Sequence, residues 1–149
     1  MATSTHFSSV TIAPTNKTAS FTVDPGTSGK VTTINAAAGL TATLPAATGS
    51  GAEYRFFIGT TVTSNNVIIQ VANANDTMSG VAVLGQDAGD TVVLFETAAT
   101  SDTITLNGTT KGGILGDFIQ LIDVAANKWY VKVLGSATGT EATPFSAAV

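Results

Sequence analysis

Enzymatic, metal and redox chemistry each require particular side chains in fixed positions, and this chain of 149 residues carries few of them. Cysteine is absent, and the single histidine, His6, lies in a Ser/Thr-rich opening stretch with no rigid frame around it. General acid–base catalysis wants a group that titrates near neutral pH and is held still. Ser or Cys nucleophiles want a base at their side. Neither arrangement can be assembled from these residues. Carboxylates remain: Asp87 and Asp90 stand close in sequence, and Asp76 and Asp102 fall in other loops. Two acids about 5 to 9 Å apart suffice for glycoside hydrolysis, but such sites lie in grooves rich in aromatic and charged residues. The loops that carry these acids contain no Trp, Tyr or Arg. Turn formation, with each acid accepting backbone N–H groups, accounts for them. Their spacing matches neither an EF-hand nor a calcium repeat. Gly112-Gly113 and the Gly49/Gly51 pair are not phosphate loops, since no Lys-Ser/Thr opens a helix after them. The sequence therefore predicts no cofactor, no metal and no enzyme. For sugar stacking, Trp129 falls on the apolar face of its strand and reads as core, while Tyr130, flanked on its own face by Lys128 and Lys132, is the aromatic expected outside.

Composition narrows the class further. Hydrophobic residues make up 44% and charged residues only 11%, against about 25% charged in an average soluble domain, so Thr, Ser, Asn, Gly and Ala must cover the surface. Six basic against ten acidic residues leave a net charge of −4, with no basic stripe for phosphates; nucleic acid is not an expected partner. Every apolar run is interrupted well before the roughly 18 residues of a bilayer span, and the first residues lack a basic and apolar leader. Neither membrane nor export is expected, and the absence of cysteine fits a protein made in a reducing cytoplasm that must later survive outside it.

The elements that must carry these side chains are short β-type runs punctuated by turn residues every eight to twelve positions or so, the spacing of a sandwich or barrel. Predicted strands are Ala19–Val23, Lys30–Asn35, Leu40–Leu44, Tyr54–Ile58, Asn66–Ala72, Gly80–Leu84, Thr91–Thr97, Thr103–Asn107, Asp117–Val124 and Lys128–Leu134. Trp129, Val131 and Val133 alternate with Lys128, Tyr130 and Lys132, and Leu40, Ala42 and Leu44 with Thr41 and Thr43, which assigns the first set of each to a core. The expected architecture is an all-β, antiparallel β-sandwich over residues 19–134, with an N-terminal arm over 1–18 and a C-terminal arm over 135–149.

Several strands are apolar on both faces, among them Val92-Val93-Leu94-Phe95, Phe118-Ile119 with Leu121-Ile122, and Tyr54 with Phe56-Phe57-Ile58. A two-layer sandwich has one interior, so a second apolar face implies a second surface shielded from water. The edges carry few of the Lys, Pro or inward charges that normally guard them. Phe57, Val92, Leu94, Ile119, Leu121 and Phe145 are the residues assigned to a subunit interface, and Phe7, Val10 and Ile12 of the N-terminal arm to docking on a larger partner.

Particular stretches also carry a resemblance. Thr43-Leu44-Pro45-Ala46-Ala47-Thr48-Gly49-Ser50-Gly51-Ala52 before an aromatic strand, Asn73-Ala74-Asn75-Asp76-Thr77-Met78-Ser79-Gly80, and Ser101-Asp102-Thr103-Ile104-Thr105-Leu106-Asn107-Gly108 are three of them. The Trp-bearing last strand and the ending Gly139-Thr140-Glu141-Ala142-Thr143-Pro144-Phe145-Ser146 continue the pattern. From Leu40 onward the chain resembles small structural proteins of marine tailed bacteriophages. That resemblance implies a jelly-roll-like β-sandwich, often a homotrimer, on the outside of a virion. It occurs both in capsid decoration (cement) proteins, whose partner is the major capsid protein, and in receptor- or glycan-binding modules of tail or head fibres. One domain with two arms suits decoration of the outer capsid surface better than a long fibre. Phe7, Val10 and Ile12 are then the expected capsid contacts. The stretches are turn-and-strand patterns, and the resemblance transfers no catalytic residue.

Overall fold

The computed structural model describes residues 13–87 and 89–149. Among the described residues there are twelve strands: β1 (Thr15–Lys17), β2 (Phe21–Thr22), β3 (Val31–Ile34), β4 (Leu40–Thr43), β5 (Glu53–Ile58), β6 (Val67–Gln70), β7 (Thr77–Gln86), β8 (Val92–Glu96), β9 (Thr103–Leu106), β10 (Phe118–Ala125), β11 (Lys128–Ala137) and β12 (Phe145–Ser146). All ten predicted runs coincide with strands. The alternating pattern located them because each half-buried strand exposes one face to a core and the other to solvent.

The strands form a seven-stranded sheet in the order β1-β3-β5-β10-β11-β7-β8 and a five-stranded sheet in the order β12-β9-β6-β4-β2. The all-β sandwich is as expected; the pairing is mixed rather than purely antiparallel. From β1 to β6 the chain alternates between the sheets, so neighbours within a sheet are two strands apart in sequence and run the same way. Thus β1, β3 and β5 are parallel, as are β2, β4 and β6. Parallel neighbours need a crossover, and here a strand of the opposite sheet provides it, giving a flattened coil. Antiparallel pairing is concentrated in the second half, in β10 with β5 and β11, β7 with β8, and β9 with β6 and β12.

One core fills the space between the sheets. Ile34, Phe56, Met78, Ile119, Leu121, Trp129, Val131 and Val133 of the larger sheet face Leu40, Ala42, Val67, Ile69, Ile104 and Leu106 of the smaller one, all buried. The parallel partners β7 and β11 approach closely at Gly80, where a Cβ would overlap the carbonyl oxygen of Val131. Only glycine admits that spacing.

Both expected arm boundaries shift. β1 falls within residues 1–18 yet forms one edge of the large sheet. β11 runs on to Ala137, past the expected boundary at 134, and β12 pairs with β9. Phe145 is 7% exposed and belongs to the core, so the last residues are docked on their own domain. No helix among the described residues is long and apolar enough to cross a membrane.

Candidate functional site

Four buried aspartates organise the loops. The inward phase of β10 and the residue before it read Asp117, Ile119, Leu121, Asp123, so a carboxylate caps each end of a core-facing row. Asp117 accepts hydrogen bonds from the backbone N–H groups of Gly113 (2.7 Å), Ile114 (3.1 Å) and Ser136 (2.9 Å). Burial pushes its pKa up, and these three donors offset part of that rise. Asp123 accepts from the backbone N–H groups of Thr48, Gly49 and Ser50 and from the Thr48 and Ser50 hydroxyls, at 2.7 to 3.1 Å. Burial raises its pKa too, but here the Ser50, Gly49 and Thr48 donors win and hold the carboxyl well below the usual range.

Asp76 and Asp102, read from the sequence as turn formers, are likewise buried anchors. Asp76 accepts from Ala47 N–H (2.9 Å) and the Asn73 amide (3.1 Å). Asp102 accepts from the Thr103 hydroxyl (2.7 Å) and from the N–H groups of Ala148 (2.8 Å) and Val149 (3.3 Å), tying the last residues to β9. Asp102→Ala is therefore expected to cost about 2 kcal/mol, a typical loss for hydrogen bonds to a charged group. Limited proteolysis should then cut after residue 140 at least about tenfold faster than in the parent, as a locally released segment requires. Asp87 and Asp90 are exposed.

Asp123 also lines a cleft of about 360 Å³ with Pro25, Pro45, Thr48, Ser50, Tyr54 and Trp129 among its walls. Its chemistry is spent. A general acid must hold a proton near neutral pH and a general base needs a free lone pair, whereas this carboxylate stays ionised with both oxygens engaged. Trp129 is 1% exposed and stacks at a tilt on Tyr54 with ring centroids 5.8 Å apart, so it offers a sugar no platform. Among the described residues no three His, Cys, Asp or Glu side chains cluster as metal ligands do.

Among the described residues nothing packs on the outer face of the seven-stranded sheet. Register aligns Leu94, Val83, Leu134, Phe118 and Phe57 side by side on β8, β7, β11, β10 and β5. Leu94 is 55% and Leu134 57% exposed, Val92 at the same sheet edge is 67% exposed, and Val83, Phe118 and Phe57 are half-buried. One step along the strands lies a second row, Glu96, Val81, Lys132, Gln120 and Arg55. Arg55 pairs with Glu53 at 2.9 Å, and Gln120 donates to the same carboxylate at 2.6 Å.

Of the residues assigned to an interface, Phe57, Val92 and Leu94 lie on this outer face. Ile119 and Leu121 do not: they occupy the inward phase of β10 and are fully buried, and the outward positions of that strand belong to Phe118 and Ile122. Phe145 is removed from any such surface by the β12–β9 pairing, which presses it into the core. Phe7, Val10 and Ile12 lie outside the described residues. Neither Asp117 nor Asp123 is marked as an anchor by its immediate neighbours in sequence. The available signal was an acid at each end of the row Ile119, Leu121, in the same phase. No protein-family model, curated protein or solved structure matches the chain.

Proposed function

We propose that this chain is a structural protein of a virus particle, a capsid decoration (cement) protein that binds the major capsid protein on the outer surface of the head. The observation that supports this reading is the apolar row across five adjacent strands on the outer face of the large sheet, exposed at Leu94 and Leu134 and half-buried at Val83, Phe118 and Phe57. A sheet face that could have carried Thr and Ser throughout instead spends Leu, Val and Phe on contact with another surface. The buried carboxylates of Asp102, Asp117 and Asp123 support it as well, because each accepts several hydrogen bonds that hold a loop or the last residues in place. Contact area is then the working quantity: a protein seated across capsid subunit junctions adds buried surface, about 1,600 Å² for a standard interface, to bonds that the packaged genome strains.

Copy number tests the reading. Mass-spectrometric quantification of purified virions is expected to give hundreds of copies per particle, as a lattice protein must, with the protein released before the capsid shell dissociates. A few dozen copies or fewer would replace decoration by a fibre or tail role.

A further inference from the structure

The outer face of the large sheet needs an occupant, and we infer that it is the same face of a second copy of this chain, related by a two-fold axis running along β11. This rests on the assembly reading above and assigns the row to contact between copies, which leaves the capsid contact to other surfaces of the domain. Three observations carry it: extent, order and charge.

The row spans five strands, about 20 Å at the usual strand spacing, and presents an apolar patch on the order of 400 Å², the size that marks an interaction site on a monomer. A face of that width with its polar margins supplies about the 800 Å² per partner of a stable interface. Two sheets stack face to face about 10 Å apart, with strand directions within about 30°, so a second sheet is a geometrically natural cover.

The order of residues is self-complementary. β11 is the middle of the five strands, and rotation about it lays β8 over β5 and β7 over β10. Leu94 then meets Phe57 and Val83 meets Phe118 of the second copy, aliphatic against aromatic, with Leu134 at the centre against its own counterpart. Large side chains fall opposite smaller ones, which lets the layers interdigitate.

The adjacent row agrees in charge. The same rotation brings Glu96, at one end, over Arg55, at the other, whose guanidinium already pairs with Glu53 at 2.9 Å and would be shared with Glu96. Glu96 has no ion-pair partner among the described residues. Lys132 falls near the axis at the margin of the apolar row, where a long stem keeps its ammonium in water. Complementary ends of this kind fix register more than they add affinity.

Sedimentation equilibrium on the full chain, from about 1 to about 200 μM, gives the test at the concentrations where interfaces of this size act. The parent is expected to show a monomer–dimer equilibrium. Leu134→Asp puts two carboxylates on the axis and should weaken it about a hundredfold, the effect of losing a central contact, with an unchanged circular dichroism spectrum because the side chain is 57% exposed. Val124→Asp, on the same strand face but about 20 Å along β10, should leave the dimer intact. Glu96→Lys should weaken it, and mixing that variant with Arg55→Glu should recover association, because in the mixed dimer both symmetry-related 96–55 contacts join opposite charges.

A parent that stays monomeric throughout, a trimer, or a dimer indifferent to Leu134→Asp would each overturn the inference. None of those results touches virion copy number, so the decoration reading and the two-fold contact can fail separately.

Discussion

Asp123→Ala lowers the stability of the domain by about 3 kcal/mol, the order expected when hydrogen bonds to a buried charge are removed together. The carboxylate is 2% exposed and gathers five donors from three consecutive residues, Thr48, Gly49 and Ser50. Without it Thr48, Gly49 and Ser50 of the loop that closes one end of the sandwich lose the acceptor they share, though water can reach the released donors because those residues are exposed. For a domain of this size the melting temperature should fall by roughly 6 to 12 °C. The pH dependence follows from the direction of the shift. The folded carboxyl has a lower pKa than the unfolded one, so its stabilisation is complete above about pH 4, the ordinary carboxyl value, and is lost progressively as pH falls below it. Glu53, held low by Gln120 and Arg55, adds to the same fall. Asp117 acts in the opposite sense. Its folded pKa is raised, so its contribution is present at low pH and declines as pH rises through that value. Urea midpoints measured from pH 6 down to pH 2 should drop in the parent and drop less in Asp123→Ala. Equal slopes in the two proteins would show that Asp123 is not the acid-sensitive group.

Trp129→Ala produces the larger loss, about 4 kcal/mol, because it removes the largest side chain of the core and leaves a cavity that the two sheets cannot close. Trp129 sits opposite Asp123 in the β10–β11 register and beside Met78 across β7, so its removal loosens three adjacent strands. Trp129→Phe separates packing from polarity. The indole Nε1 is buried without a hydrogen-bond partner, a state that costs free energy on folding. Phenylalanine keeps most of the contact and omits that donor. Its cost should therefore be only about 1 kcal/mol, well below the alanine value. Denaturant unfolding of both variants measures this. A phenylalanine variant as unstable as the alanine one would mean that the indole nitrogen makes a bond important to the fold.

Period-two alternation fixed most strands and the core faces of several. Leu40, Ala42 and Leu44, or Trp129, Val131 and Val133, could be assigned from the chain alone because a strand's two faces meet different solvents. Local signals of that kind reach only as far as the strand itself. Whether neighbours run parallel depends on the path between them. The alternation of β1 to β6 between two sheets is a property of that path, so the mixed pairing was not legible. Where both phases of a strand are apolar, alternation also loses its power. In β10 the chain alone assigns Ile119 and Leu121 to a subunit interface, and only the sheet register shows that Phe118 is the residue that joins Leu134 and Phe57 on the outer face.

The sequence by itself determined an all-β chain with no Cys and one His, and it signalled a second apolar surface. Tertiary structure decided where that surface is and what the acids do. Five residues from five strands become one row only when register brings them side by side. Asp117 and Asp123 become anchors only when loops distant in sequence, such as Thr48 to Ser50 for Asp123, are folded over them. Both outcomes depend on long-range pairing, which no window of sequence contains.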